Sequence, residues 1–208
     1  MTPIPTAISL MLLLFLAAPL HAQSPNPTPP PELKKWDIWI GDWALSGTAK
    51  DTPTGPEYKV DWSLHERWIL GGFFVQVDQI WRGNGQELRS LEILSWDPVK
   101  RIHTTSGFSS DGSTWAMTAT FENAATIEAG GGNATAIKHG ASNARTIEQG
   151  IAKGPDGQVT TCHTTWSFSS DRKDSSDQTA LSGTQECELN GVRWTAFRVK
   201  GTKFTNSR

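Results

Sequence analysis

The sequence predicts an all-β protein, an antiparallel meander of about nine or ten strands. Three observations carry that expectation. Apolar residues recur with a period of two: Tyr58, Val60, Trp62 and Leu64 alternate with Lys59, Asp61, Ser63 and His65. Phe73, Val75 and Val77 alternate with Gln76 and Asp78, and Trp115, Met117, Ala119 and Phe121 with Ala116, Thr118 and Thr120. Such alternation is that of strands with one face buried. Turn dipeptides punctuate the runs at Gly71-Gly72, Asn84-Gly85, Asp111-Gly112 and Asp156-Gly157, where a positive φ is tolerated. Asp97-Pro98 marks a further turn, because the residue before proline avoids the helical region. Finally, no long helical pattern interrupts the series, as expected of a meander.

Taken in order, residues 1–22 read as a signal peptide. Leu10 to Leu20 is an apolar run of the length of a signal core, too short to cross a bilayer as a helix. Leu20-His21-Ala22 offers a small-residue cleavage site, so the mature chain starts at Gln23. The segment ahead of the run has no Lys or Arg, and a retained membrane anchor is the alternative. No Cys lies near the cleavage site, which argues against lipid attachment. Export follows from this reading, to a periplasm or the exterior.

Residues 23–31 form a Pro-rich tether, extended rather than packed. The strand domain occupies residues 32–205. At its start Leu33, Trp36 and Ile40 fall at roughly helical spacing behind Pro31 and Glu32, which suit a helix start. A short N-terminal helical turn is expected there. Further on, Asn, Ala, Ile and Gly recur at a period of ten in residues 123–130, 133–140 and 143–150. These read as short strands joined by tight turns, since three ten-residue coils of a β-helix could not bury a core.

Cys162 and Cys187 are the two cysteines. Residues 159–169 and 178–189 read as strands flanking a polar run, and a hairpin loop centred near Asp174 and Ser175 fixes their register. Cys162 then faces Cys187, Thr164 faces Gln185, Trp166 faces Gly183 and Phe168 faces Leu181. A structural disulfide is expected, which export allows. No CxxC motif or ligand cluster suggests redox or metal chemistry for the pair.

With 19 Lys and Arg against 21 Asp and Glu, the net charge is −2. That balance argues against nucleic acid as a partner, because phosphate binding needs a concentrated basic surface. No apolar stretch beyond the leader could cross a membrane, and composition leaves the oligomeric state open.

Gly41-Asp42-Trp43, Arg67-Trp-Ile-Leu-Gly-Gly-Phe-Phe74 and Trp96-Asp97-Pro98 follow one another in an order that resembles a mostly bacterial domain family of unknown function. That family has a lipocalin-like, calycin-type barrel. Its pattern is a Gly-x-Trp start, an Arg shortly before Leu-Gly-Gly-aromatic, and a Tyr-Asp-Pro turn; Trp96 departs from the usual Tyr. The resemblance covers roughly residues 33–204 and implies that the meander closes into a lipocalin-like barrel with an interior cavity, but it brings no catalytic residues. It also implies that Gly41 and Trp43 are structural, with an Arg near the chain's end lying across Trp43 as a cation–π partner. Arg198, with Arg193 as the other candidate, is expected in that role. More distantly the opening is similar to nitrobindin-type haem barrels.

Ten Trp and eight Phe would fill such a barrel or line a pocket for a planar or apolar ligand. Tyr58, Val60, Trp62, Phe73, Val75, Trp115 and Met117 are the expected lining, and the partner is a small apolar or aromatic molecule. Plain core packing is the competing account of each ring.

No cofactor is expected. A haem barrel needs an inward His as axial ligand, which the nitrobindin likeness puts near the last strand, and residues 192–204 contain none. His65, His103 and His163 lie in strands, and His139 lies in the repeat. Among carboxylates, Asp61, Asp78 and Glu92 could act as acid or base if they point inward, with Glu66 less regularly placed. His65-Glu66 lacks the second His of a zinc-protease helix. Gly107-Phe-Ser-Ser-Asp-Gly112 lacks the strand-to-helix context of a nucleophile elbow. An enzyme acting on a lipid-like or aromatic metabolite inside the barrel is the alternative function. Further alternatives are a haem-binding barrel using His163 or His103, and a module whose surface loops dock a protein at the cell envelope.

Overall fold

The structure, a computed structural model, describes residues 27–122, 144–170 and 179–204. A 3-10 helix (Pro31–Ile38) leads into ten strands. In chain order they are β1 (Gly41–Ala49), β2 (Tyr58–Ile69), β3 (Phe74–Gly83), β4 (Gln86–Asp97) and β5 (Ile102–Ser109). They continue with β6 (Thr114–Glu122), β7 (Ala144–Lys153), β8 (Val159–Ser170), β9 (Thr179–Leu189) and β10 (Val192–Phe204). Each strand pairs antiparallel with its sequence neighbours, and β1 pairs with β10 to close a ten-stranded barrel of the calycin-like kind. Closure leaves no unpaired sheet edge.

The opening helix works by a spacing of three. Leu33, Trp36 and Trp39 are buried, and in a 3-10 helix residues three apart stack on one face. Trp39 thus takes the third buried position, where a period nearer that of an α-helix pointed to Ile40, which is half-buried. Indole N–H groups pin this helix and its exit into one end of the barrel. Trp36 donates to the Ser95 carbonyl (3.3 Å), Trp39 to the Thr146 hydroxyl (3.2 Å) and Trp68 to Asp37 (2.9 Å). Trp43 donates to the Trp39 carbonyl at 2.7 Å. The helix stops up that end, while the disulfide lies toward the other.

Cys162 and Cys187 are bonded, with their Cα atoms 4.1 Å apart. Thr164↔Gln185, Trp166↔Gly183 and Phe168↔Leu181 are likewise register partners. The hairpin register read from the sequence therefore holds along the pair. Asn84-Gly85 forms the β3–β4 turn, and Asn190-Gly191 makes an equivalent one between β9 and β10 that the sequence reading passed over; both residues of each have positive φ.

Two expectations need correction. Arg198 does not lie across Trp43: it is exposed and donates to the Thr195 hydroxyl. Phe197 and Val199 hold the inward phase of β10, which puts Arg198 outside. Lys203, the register partner of Trp43, places its Nζ 5.5 Å from the ring centroid instead. Arg193 is also outside, paired with Glu188 at 2.6 Å. The second correction concerns the period-ten repeat. Its first two copies lie outside the described residues, but the third runs into β7 without a turn at Gly150. A Cβ there would overlap the β6 backbone at Ala116, so this glycine permits close strand approach.

Candidate functional site

Inward faces follow from the burial pattern. On β2 the even residues Val60, Trp62, Leu64 and Glu66 point in, and their partners on β3 include Trp81, Gln79 and Val77. Glu66 is opposite Val77, and Val77 is opposite Glu92 on β4. From β7, Ala144, Thr146 and Glu148 also point inward. Three carboxyls therefore enter a barrel otherwise packed with rings. With Trp39, Trp62, Leu64, Val77, Gln79, Leu94 and Trp166 they border a cavity of about 30 Å³. That space takes about two waters.

Two of the carboxyls are held by tryptophans in the same way. Trp115 leans across Gly107 and donates to Glu92 Oε1 at 2.8 Å; Glu92, Gly107 and Trp115 are successive register partners. Gln79 donates to Glu92 Oε2 at 2.8 Å. Trp166 leans across Gly183 and donates to Glu148 Oε2 at 3.0 Å. At both glycines a Cβ would overlap the ring. Each glycine thus lets an indole lie flat enough to reach its carboxyl.

Glu66 is different. It is 2% exposed and its Oε2 has no hydrogen-bond partner; the Trp62 indole N–H is also unpartnered. Buried polar atoms are nearly always paired, so two unpaired atoms on residues lining one cavity stand out. Burial pushes the Glu66 carboxyl well above its ordinary range, and Glu92 and Glu148 add to the rise while Lys203 opposes it. Burial and the charge of Glu92 lift Glu148 to about 8, against the pull of the Trp166 donor. Glu92 is partly buried and is also raised, chiefly by desolvation, with Trp115 the first of the donors that hold it down. The cluster thus carries protons at neutral pH, because several carboxylates cannot ionise together in so little water.

Of the seven residues expected to line a ligand site, Trp62 borders this cavity, and Trp115 reaches it through Glu92. Val60 and Val75 are buried in the core. Met117 packs beside the disulfide with Trp115 and Trp194. Tyr58 is half-buried and donates to Asp51, while Phe73 ends the turn before β3. Asp61 is exposed, and Asp78 pairs with Arg67 on the outer surface.

His65 hydrogen-bonds Asp42 outside the barrel, and His163 is exposed. His103 is buried, packed by Trp36, Trp96 and Phe121, and its Nε2 donates to the Glu32 carbonyl at 2.9 Å. Burial lowers its pKa. No cluster of His, Cys, Asp and Glu suited to a metal ion occurs among the described residues.

Glu148 and Gln79 went unread in the sequence. Glu66, read from the sequence as less regularly placed than Asp61, Asp78 and Glu92, in fact continues the even phase of Val60 and Leu64. Glu148 was not legible, because the inward residues of β7 are Ala144, Thr146, Glu148 and Gly150, and the isoleucines face the other way.

These features define a closed antiparallel barrel with a small acid-lined interior. No family model matches the chain, and no curated protein sequence matches it. Among the described residues no helix is long and apolar enough to cross a membrane.

Proposed function

We propose that the protein binds a small, largely apolar molecule whose hydroxyl head enters the cavity beside Glu66. One observation carries this reading: Glu66 Oε2 and Trp62 Nε1 are unpartnered at the same cavity. A hydroxyl both donates and accepts, so it can satisfy the carboxyl oxygen and the indole N–H together. The rings of Trp39, Trp62 and Trp166 supply apolar walls. A ligand body larger than two waters takes space now filled by side chains, and the half-buried Trp62, Trp81 and Tyr58 pack against the core toward the disulfide end.

The barrel architecture, the Gly-x-Trp opening and the Leu-Gly-Gly turn are in keeping with the lipocalin-like family resembled by the sequence. The apolar leader and the Cys162–Cys187 bridge support an exported protein, since such bonds persist in oxidising compartments. A second reading, catalysis on a lipid-like or aromatic metabolite, is favoured by one observation. Burial and the charge of Glu92 lift Glu148 to about 8, and two interacting carboxyls beside one cavity are an arrangement used for acid–base chemistry.

Tryptophan fluorescence titrated with 1-hexanol and with hexane tests binding. Saturable quenching by the alcohol is expected, weakened about tenfold in Glu66→Leu and in Trp62→Phe, in line with loss of one buried hydrogen bond. No saturable response in the folded wild type, or equal response to hexane, overturns the proposal. Native mass spectrometry of protein from its own host gives an independent check.

A further inference from the structure

We propose that the helix-plugged end of the barrel is a docking face for an anionic lipid surface, entered by Leu70 and Val99 and steered by Lys34, Lys35, Lys100 and Arg101. The observations are separate from the interior site. Leu70 is 73% exposed and Val99 90% exposed, and both sit at turns on this one end. Leu70 also has φ +49°, a left-handed conformation that costs a branched, bulky residue about 1–2 kcal/mol. A glycine or asparagine would serve the turn better and keep apolar surface out of water. The chain accepts both penalties at one residue, and such a residue is a candidate contact rather than a folding device.

The charges around the tips favour an anionic partner. Lys34 and Lys35 on the 3-10 helix and Lys100 and Arg101 beside Val99 are all exposed. The acids on the same end are largely engaged. Asp37 accepts from Trp68, and Asp97 accepts the backbone N–H groups of Val99 and Lys100 and lies 4.0 Å from the exposed Lys100 Nζ. Glu122 pairs with Arg145 at 3.2 Å, and Glu32 remains as a counter-charge beside Lys34 and Lys35.

The chain's entry selects lipid over a protein partner. Pro29 lies beside the same turn, its Cγ 3.2 Å from where a Cβ on Gly72 would stand. The preceding sequence contains the apolar run from Leu10 to Leu20, free of charged residues. A retained run would hold this end against a membrane, and after its removal the two tips and four cations suffice for weak, reversible association. Small apolar wedges flanked by cations suit a headgroup layer.

The test uses the full chain with one introduced thiol, Leu70→Cys, Val99→Cys or Val159→Cys, labelled with the fluorophore NBD. The native cysteines are bridged, so the label is specific. With equimolar phosphatidylglycerol and phosphatidylcholine vesicles, labels at 70 and 99 should shift to the blue. The label at 159, toward the disulfide end, should not. Replacing Lys100 and Arg101 together by Gln should lower partitioning about 25-fold, near fivefold for each cation.

Absence of a shift at 70 and 99, an equal shift at 159, or unchanged partitioning after charge removal overturns the proposal. Leu70→Gly separates docking from folding. It should raise the unfolding midpoint by relaxing the backbone while weakening vesicle binding, and a loss of stability with unchanged binding would refute the role given to Leu70.

Discussion

Replacing Glu148 by Gln tests the central claim that the barrel interior stores protonated carboxyls. Gln keeps an oxygen to accept the Trp166 indole N–H, now at 3.0 Å, and removes the titration. Glu148 moves from an ordinary 4.5 to about 8 on folding. Below pH 4.5 both folded and unfolded chains carry the proton, and the group has no effect. Between 4.5 and 8 the unfolded chain releases it and the folded chain keeps it, so stability falls as pH rises. Above 8 both have lost it and the penalty levels off.

At about 1.4 kcal/mol per pH unit, that window amounts to about 5 kcal/mol. This is a ceiling, because the interior can rearrange around a charge. Urea unfolding of the oxidised protein from pH 4 to pH 9 is the assay. Wild type and variant should unfold at nearly the same urea concentration near pH 4, with the variant increasingly ahead toward pH 8. A constant difference across the range, or wild-type stability that rises with pH, would refute the burial of a protonated Glu148.

Other consequences can be measured on the same material. Gly183→Ala puts a methyl into the Trp166 ring and should cost about 1–3 kcal/mol as overpacking; tryptophan fluorescence should change with it, since the indole must leave Glu148. Reducing or removing the Cys162–Cys187 bond, which spans 25 residues, should cost about 3.5 kcal/mol by the loop-entropy relation, read as a lower unfolding midpoint with reductant. Trp36→Ala should cost about 3–5 kcal/mol and loosen the helix-plugged end, detectable as faster hydrogen exchange in residues 31–40. Lys203→Met removes the cation that opposes the upward shift of Glu66, so Glu66 should titrate at higher pH by carboxyl NMR.

The meander, most of its turns and the hairpin that brings the cysteines together were legible in the residues, and for a local reason; the Asn190-Gly191 turn was passed over and the turn expected at Gly150 is continuous strand. Alternation along one strand and the length of one loop fix which residues pair, as at Trp166 and Gly183. The short opening helix was legible too, although its spacing of three pointed to Trp39 only once the 3-10 geometry was known.

Which side chains share the interior was decided by the tertiary structure. β7 turns Ala144, Thr146, Glu148 and Gly150 inward, against its own hydrophobic pattern, because Trp39, Trp166 and Phe168 from other elements already occupy that space. The same holds for Trp43, whose cation is Lys203 rather than Arg198. Closing β1 against β10 sets that pairing, and no local pattern in the last strand reveals it. The sequence by itself determined the strands, their order and the disulfide. The acid-lined cavity exists only where the closed barrel brings β2, β4 and β7 face to face, since burial is a property of the assembled wall and not of any one strand.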